Sequence, residues 1–270
     1  GVAFAFPTYF FVGCMFIVFG MGLYRLANGT LPVLDTNLPG AVPLGQEQGL
    51  LTFAAIFILL RAFANGGSSL TGLEAISDGV ALFKTPEHVN AKRTLVIMST
   101  LLGILVLGVS YFAHHIYAMP YENGVPTVIS QIAKATVGTG GFGTFMFIMV
   151  QAATMLILFA GANTTYSAFP ILVNFVASDG FLPRQLTKRG HRLAFSNGIL
   201  LLAGGGLFLV IITAGSVEHL VAFYALGVFT GFTLAGFGMT RYYLRKKPNG
   251  WRLKVFVNGL AGSVALSIVI

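Results

Sequence analysis

Glu74 stands inside an otherwise apolar stretch, in the run Asn65-Gly66-Gly67-Ser68-Ser69-Leu70-Thr71-Gly72-Leu73-Glu74-Ala75. A carboxylate in such surroundings must be protonated, paired with a cation or turned to water, because an unpaired charge in hydrocarbon is costly. The hydroxyls of Ser68, Ser69 and Thr71 and the bare backbone of Gly72 precede it within six residues. Hydroxyl and carbonyl oxygens around one carboxylate suit a hard monovalent cation that has shed its water. The same spacing also fits a structural role, since Thr71 and Glu74 stand in the Thr-x-x-Glu relation of a capping box. The two roles are compatible. Asp78, one turn further on, fits a binding role, a gate or a loop contact.

Positioning such residues requires a helix that stops and restarts. Leu50 to Leu82 is 33 residues long, against the roughly 20 that cross a bilayer core of about 30 Å. The serines, the threonine and the glycines near its middle are poor material for a continuous helix, each Gly costing about 1 kcal/mol relative to Ala. An interruption near the midplane answers both facts. Unwound backbone at that depth is tolerated where it lines a cavity or is buried by protein, and its carbonyls and helix ends are ready-made ligands for ions and substrates. Arg61, in the outer half of the same stretch, either pairs with an acidic group at an external vestibule or snorkels outward.

Composition supports a membrane setting. The 270 residues are 56% hydrophobic and 9% charged, with a mean hydropathy of +0.83, whereas a soluble domain carries about 25% charged residues. Disorder is excluded by the same apolar content. Hydropathy predicts seven spans, at 2–24, 50–82, 95–116, 144–176, 196–214, 220–243 and 255–270. Helices are expected because each span must satisfy its own backbone, and no strand-like alternation is visible. The single cysteine, Cys14, permits no internal disulfide and reads as an apolar filler. A basic leader with a cleavage site is absent and the first residue is Gly1, so the chain reads as part of a longer one.

The formal charge of +8 would suggest nucleic acid in a soluble protein, but here its distribution decides. Lys84, Lys92 and Arg93 fall in 83–94. Arg184, Lys188, Arg189 and Arg192 fall in 179–195, and Arg241, Arg245, Lys246, Lys247, Arg252 and Lys254 in 241–254. These connections alternate with ones holding only Arg25 and Lys134, so the three basic connections are predicted to be cytoplasmic and 26–49 and 117–143 external. The surplus is then topology, with acidic lipid as its nearest partner and no nucleic acid. The external stretch 28–48 is rich in Pro and Gly and reads as a loop, with a glycosylation acceptor at Asn28-Gly29-Thr30. Thr127 to Ala135 has helical spacing and reads as a short helix at the outer interface. Gly204-Gly205-Gly206 and Gly227, Gly231 and Gly236 read as close helix packing. His114 and His115 lie near an external boundary, where hydrogen bonding is expected rather than metal binding.

The run Leu70-Thr71-Gly72-Leu73-Glu74-Ala75-Ile76-Ser77-Asp78-Gly79-Val80, then Phe83-Lys84-Thr85-Pro86 and Asn90-Ala91-Lys92-Arg93-Thr94, resembles the sixth transmembrane helix and following loop of the amino acid-polyamine-organocation (APC) superfamily. Asp179-Gly180-Phe181-Leu182-Pro183 is similar to the segment that follows the eighth helix there. The Thr-Gly-x-Glu-Ala-Ile-Ser form is most similar to the KUP-type potassium importers of the KimA branch and to related amino acid permeases. The resemblance implies an all-α integral membrane protein with a partial LeuT-like 5+5 inverted-repeat fold. Its seven spans would be helices 5 to 11, with helices 1 to 4 lying before residue 1. It further implies potassium ligation at Thr71, a functional carboxylate at Glu74, and a role for a helix-10 tyrosine matched here by Tyr224. Gln151, Thr154, Asn163, Thr164 and Thr165 lie where sodium-coupled relatives place hydroxyl ligands, or they bond between helices. The first span has no lysine, so the lysine-for-sodium arrangement of some proton-coupled relatives is not supported.

The expected function is secondary active transport by alternating access at the plasma membrane. A small cation is the expected substrate, potassium in the first place, with a proton as coupling ion and no cofactor. Amino acid uptake is the alternative, since a zwitterion would present its carboxylate to the half-helix N-terminus. An ion channel requires a continuous pore rather than one occluded site. A membrane enzyme lacks the paired nucleophile and base. Oligomeric state is left open.

Overall fold

A computed structural model describes residues 2–35, 39–41, 53–67, 76, 80, 83–121, 124–188 and 195–269. The described residues form helices α1 (Val2–Ala27), α2 (Phe53–Gly67), α3 (Glu87–His115), α4 (Val128–Val137), α5 (Gly141–Ser178), α6 (Ser196–Ile212), α7 (Val217–Lys246) and α8 (Trp251–Val269), with a 3-10 turn at Arg184–Thr187. The chain divides into two compact units, Gly1–Gly45 with Ile97–Gly206, and Gln46–Val96 with Leu207–Ile270. Among the described residues five helices, α1, α3, α5, α7 and α8, are long and apolar enough to cross a membrane.

In the first unit α4 is the centre of the core. Seven of its ten residues are buried, Ser130 to Ala133 and Ala135 to Val137. Cys14, Met15, Val18 and Phe19 pack from α1, Phe112 from α3, and Met146, Val150 and Ala153 from α5. The α1 set recurs at a spacing that makes one helical stripe. Phe19 and Phe112 stack with centroids 5.7 Å apart. Their approach depends on Gly22, where an added Cβ would sit 2.5 Å from the Phe112 ring and 2.9 Å from Thr136.

The expectation of a short helix at the outer interface is half right. The helix exists, but it is buried rather than lying on a surface. Its polar residues are what made it look interfacial, and each is satisfied by protein instead of water. Gln131 Nε2 donates to Met119 O at 2.7 Å and Pro126 O at 3.1 Å, while its Oε1 accepts from Met119 N at 3.1 Å. Thr136, with no exposed surface, donates to Ile132 O at 2.8 Å. Gln151 on α5 donates to Ser130 Oγ at 2.9 Å, the inter-helix role that was one of its two expected readings. At the helix start the Thr127 hydroxyl accepts from Ser130 N. At its end Arg25 donates to Ala135 O at 3.3 Å and packs over Gly138, whose φ of 82° suits glycine.

Helix α5 runs 38 residues with Pro170 inside it, about 57 Å at 1.5 Å per residue. It stops in a Schellman arrangement. Asp179 is the C-cap, Gly180 takes φ +84°, Gly180 N donates to Ala177 O and Phe181 N to Val176 O. The Asp179-Gly180 pair of the recognised motif therefore ends a helix, and Pro183 opens the following 3-10 turn.

In the second unit α7 and α8 form a tight antiparallel hairpin. A Cβ at Gly236 would meet Gly262 Cα at 2.8 Å, so the two backbones touch where both residues lack side chains. Gly204, Gly205, Gly206, Gly227 and Gly231 behave otherwise. Among the described residues an added Cβ at each would meet nothing within 4 Å, so close packing is seen there for Gly236 alone in that set.

Several span boundaries also shift. Helix α3 begins at Glu87, so Lys92 and Arg93 occupy its first turns instead of a loop. Arg241, Arg245 and Lys246 end α7, and Arg252 and Lys254 open α8, which leaves a turn at 247–250. Hydropathy places a boundary where apolar residues stop, whereas backbone hydrogen bonding carries each helix on through charged turns that reach water. Helix α6 spans 17 residues, short of the 196–214 expected.

Gln131 makes a direct prediction. Gln131→Leu keeps approximate size but strands both polar groups of Met119, and loss of about 1–3 kcal/mol is expected. Thermal unfolding of the purified full-length protein, followed by fluorescence-detected gel filtration, should show a lower midpoint. A midpoint equal to that of the parent would remove this network from the core's support.

Candidate functional site

Ser68, Ser69, Thr71, Gly72, Glu74 and Asp78 lie outside the described residues, and so does the expected interruption. Their near neighbours are described. Helix α2 carries Arg61 and reaches Gly67, the residue before Ser68, and Ile76 is buried two positions after Glu74.

The end of α2 rests on an aromatic cluster from α7. Phe229, 2% exposed, lies 6.2 Å from Phe63 and 5.8 Å from Phe232 by ring centroids. A Cβ at Gly67 would come 2.5 Å from Phe229 Cζ, so the ring occupies the space that glycine leaves. Beside it is a cavity of about 570 Å³ between α2, α7 and α8, lined by Phe63, Gly67, Phe229, Phe232 and Met239 among others. Its polar contribution comes from Asn258, whose Nδ2 already donates to Lys254 O at 2.7 Å. A lining of this kind packs and excludes water; it does not ligate a cation.

Tyr224 also lies on α7, 39% exposed, five residues before Phe229. That offset is about 140° around a helix at 3.6 residues per turn, so the two rings project from different faces. Asn163, Thr164 and Thr165 are exposed on α5, in the other unit. Both threonine hydroxyls donate to Gly161 O, at 2.7 and 3.4 Å, and Thr154 donates to Val150 O at 2.8 Å. Such bonds to the preceding turn satisfy a hydroxyl within its own helix. His115 Nδ1 lies 2.9 Å from Tyr111 O, in keeping with a hydrogen-bonding role. Among the described residues, no three of His, Cys, Asp and Glu gather as a metal site.

In the sequence Gly67 was read only as one of the residues unfavourable to a continuous helix, yet α2 runs through it, and Phe229 was not singled out. The signal available was the Gly66-Gly67 pair inside an apolar helix, which marks close approach of a neighbour; nothing in the sequence says that the neighbour is Phe229.

Helices of this length and apolarity, held together by small residues and internally satisfied polar groups, define a multi-pass membrane protein. The chain belongs to the amino acid permease family of the APC superfamily, whose sequence profile matches residues 2–270. It is 39% identical over 267 residues to the "Potassium transporter KimA" of Bacillus subtilis (strain 168), an alignment that covers 98% of this chain and 42% of that relative. The chain thus spans less than half the length of the relative it matches. The all-helical architecture is consistent with part of a LeuT-like fold, and the chain is a multi-pass protein of the plasma membrane.

The Gly67–Phe229 contact predicts coupling. Gly67→Ala should lower thermal stability by about 1–3 kcal/mol through overpacking. Adding Phe229→Leu should recover a large part of that loss, and a double-mutant cycle on unfolding midpoints measures it. Strict additivity would mean that the ring moves away without cost.

Proposed function

We propose that the protein is a secondary active transporter that imports a small monovalent cation, potassium, by alternating access, with a proton as coupling ion. The observation that carries this reading is the 39% identity to a potassium transporter, spread over 98% of the chain, together with Thr71-Gly72-Leu73-Glu74 in the second span. Thr71 supplies hydroxyl oxygen and Glu74 the negative charge, with Ser68, Ser69 and the backbone at Gly72 as further oxygen donors. Tyr224 lies on the helix that matches helix 10, and Asp78, Asn163, Thr164, Thr165 and Arg61 are secondary candidates. A charged carboxylate suits a desolvated cation, and a carboxylate that takes a proton suits coupling to the proton gradient.

Amino acid uptake is the second reading, favoured by the family description itself. It needs Glu74 protonated or paired with the substrate's amine, because the substrate carboxylate would otherwise face a second anion.

Growth at limiting potassium of a strain lacking its own importers tests both. Rescue by the full-length protein and its loss in Glu74→Gln are expected. Rescue untouched by Glu74→Gln would remove the carboxylate from the mechanism, and absence of rescue with intact membrane expression would move the substrate to amino acids.

The basic connections are proposed to face the cytoplasm. In a Cys14→Ala background, Lys188→Cys should react with a membrane-impermeant maleimide only in inside-out vesicles. Labelling from the outside of intact cells would reverse the orientation.

A further inference from the structure

From Arg241 to Lys254, across the end of α7, the turn and the start of α8, there are six cations and no acidic residue. The cations fall into two sets. Lys247 and Arg252 each lie 5.7 Å from the centroid of the Trp251 ring, and Lys254 lies 5.5 Å from that of Tyr243. These three are engaged by aromatic faces. Arg241, Arg245 and Lys246 have neither a ring nor a carboxylate as partner among the described residues, and with Gly238 and Tyr242 they line a cleft of about 470 Å³.

The cleft reaches Gly238, the lining residue nearest the apolar part of the span. Gly238, Arg241 and Arg245 follow one another at helical spacing on one face of α7. A Cβ at Gly238 would meet nothing within 4 Å, and Leu234, one turn deeper, is 71% exposed. The depth of the cleft is set by Tyr242, Tyr243 and Trp251, since amphipathic rings collect at the level of lipid headgroups. Three unengaged cations at that depth, continuous with an open apolar face, complement a ligand with an anionic head and an apolar tail. A soluble anion would make no use of that face.

We propose that this cleft binds an anionic phospholipid, its phosphate held by Arg241, Arg245 and Lys246 and one acyl chain lying along α7 past Gly238 and Leu234. Arginine can offer paired N–H donors to phosphate oxygens, and Lys246 adds a point charge. The site is independent of the transport reading, because it uses none of the candidate substrate ligands.

Native mass spectrometry of the full-length protein in detergent, titrated with phosphatidylglycerol or phosphatidylcholine, tests the proposal. Since one cation near an anionic lipid surface changes affinity by about fivefold, the first phosphatidylglycerol should bind at least about fivefold more tightly than phosphatidylcholine. The triple variant Arg241→Gln, Arg245→Gln, Lys246→Gln should abolish that preference. A charge-matched control, Lys84→Gln, Arg184→Gln, Lys188→Gln, should keep it. Gly238→Leu fills the tail path without touching a charge or a helix contact, and should weaken binding several-fold even if the triple variant does not fold. Equal loss in the control would mean diffuse attraction. Displacement of the lipid by millimolar inorganic phosphate would assign the cleft to a free anion. Full affinity retained in Gly238→Leu would remove the acyl path. Each of these three results overturns the proposal.

Discussion

A bilayer core offers no water to an unsatisfied polar group, and the arrangement of this protein follows from that one constraint. Helix α4, buried by protein, obeys the same rule. Buried Gln131 is acceptable because Met119 presents both N–H and carbonyl to it and Pro126 presents a second carbonyl. Thr136, Thr154, Thr213 and Thr240 each donate to the carbonyl four residues back. The hydroxyls therefore cost little inside apolar helices, and they are correspondingly weak evidence for a substrate site. An intramembrane polar residue points to function only when its bonds are not already made.

The same constraint governs helix ends. At the end of α5 the Schellman turn at Gly180 satisfies carbonyls that a plain stop would leave bare. At the end of α4 it is a distant side chain, Arg25 from the last turn of α1, that supplies a donor. Counted in the sequence as one of the few basic residues on the outer side, Arg25 is better described as a cap that ties α1 to α4. Small residues act on packing instead of polarity. Gly236 faces Gly262 across a hairpin and Gly22 admits Phe112 and Thr136, whereas Gly204 to Gly206 face open space. Glycine in a membrane helix permits contact, and the neighbour decides whether the contact exists.

These cases explain which parts of the structure the sequence made legible. The bilayer fixes a minimum apolar length, so α1, α3, α5, α7 and α8 could be found from hydropathy. Their ends could not, because Lys92 and Arg93 or Arg241 and Arg245 continue a helix into water without any apolar signal. The burial of α4 was hidden for a related reason: Ser130, Gln131 and Thr136 read as polar, and only their partners in three dimensions make them core residues. Candidate substrate ligands were legible as a composition of hydroxyls, glycines and one carboxylate at Ser68 to Glu74. The aromatic support at the end of α2 was not. Phe229 belongs to a helix more than 150 positions away, and one Phe among 25 carries no mark of where it packs.

The charge arithmetic of the second span bears on what Glu74 could meet. Arg61 is the basic residue within that span, thirteen positions earlier. Along a helix that separation is about 20 Å, and an interruption that let the chain extend would allow more, at up to about 3.6 Å per residue. At such a distance attraction through protein is far weaker than for a contact pair near 4 Å. The sequence next to Glu74 therefore supplies hydroxyls and carbonyls but no counter-charge. A carboxylate in such a sequence, if it lies at membrane depth, is neutralised by a proton, by a cation arriving from water, or by a basic group from another part of the protein. A proton-coupled cation carrier would use the first two in turn, whereas an amino acid permease would need the proton, or the substrate's own amine, before it could hold a substrate carboxylate beside the same acid.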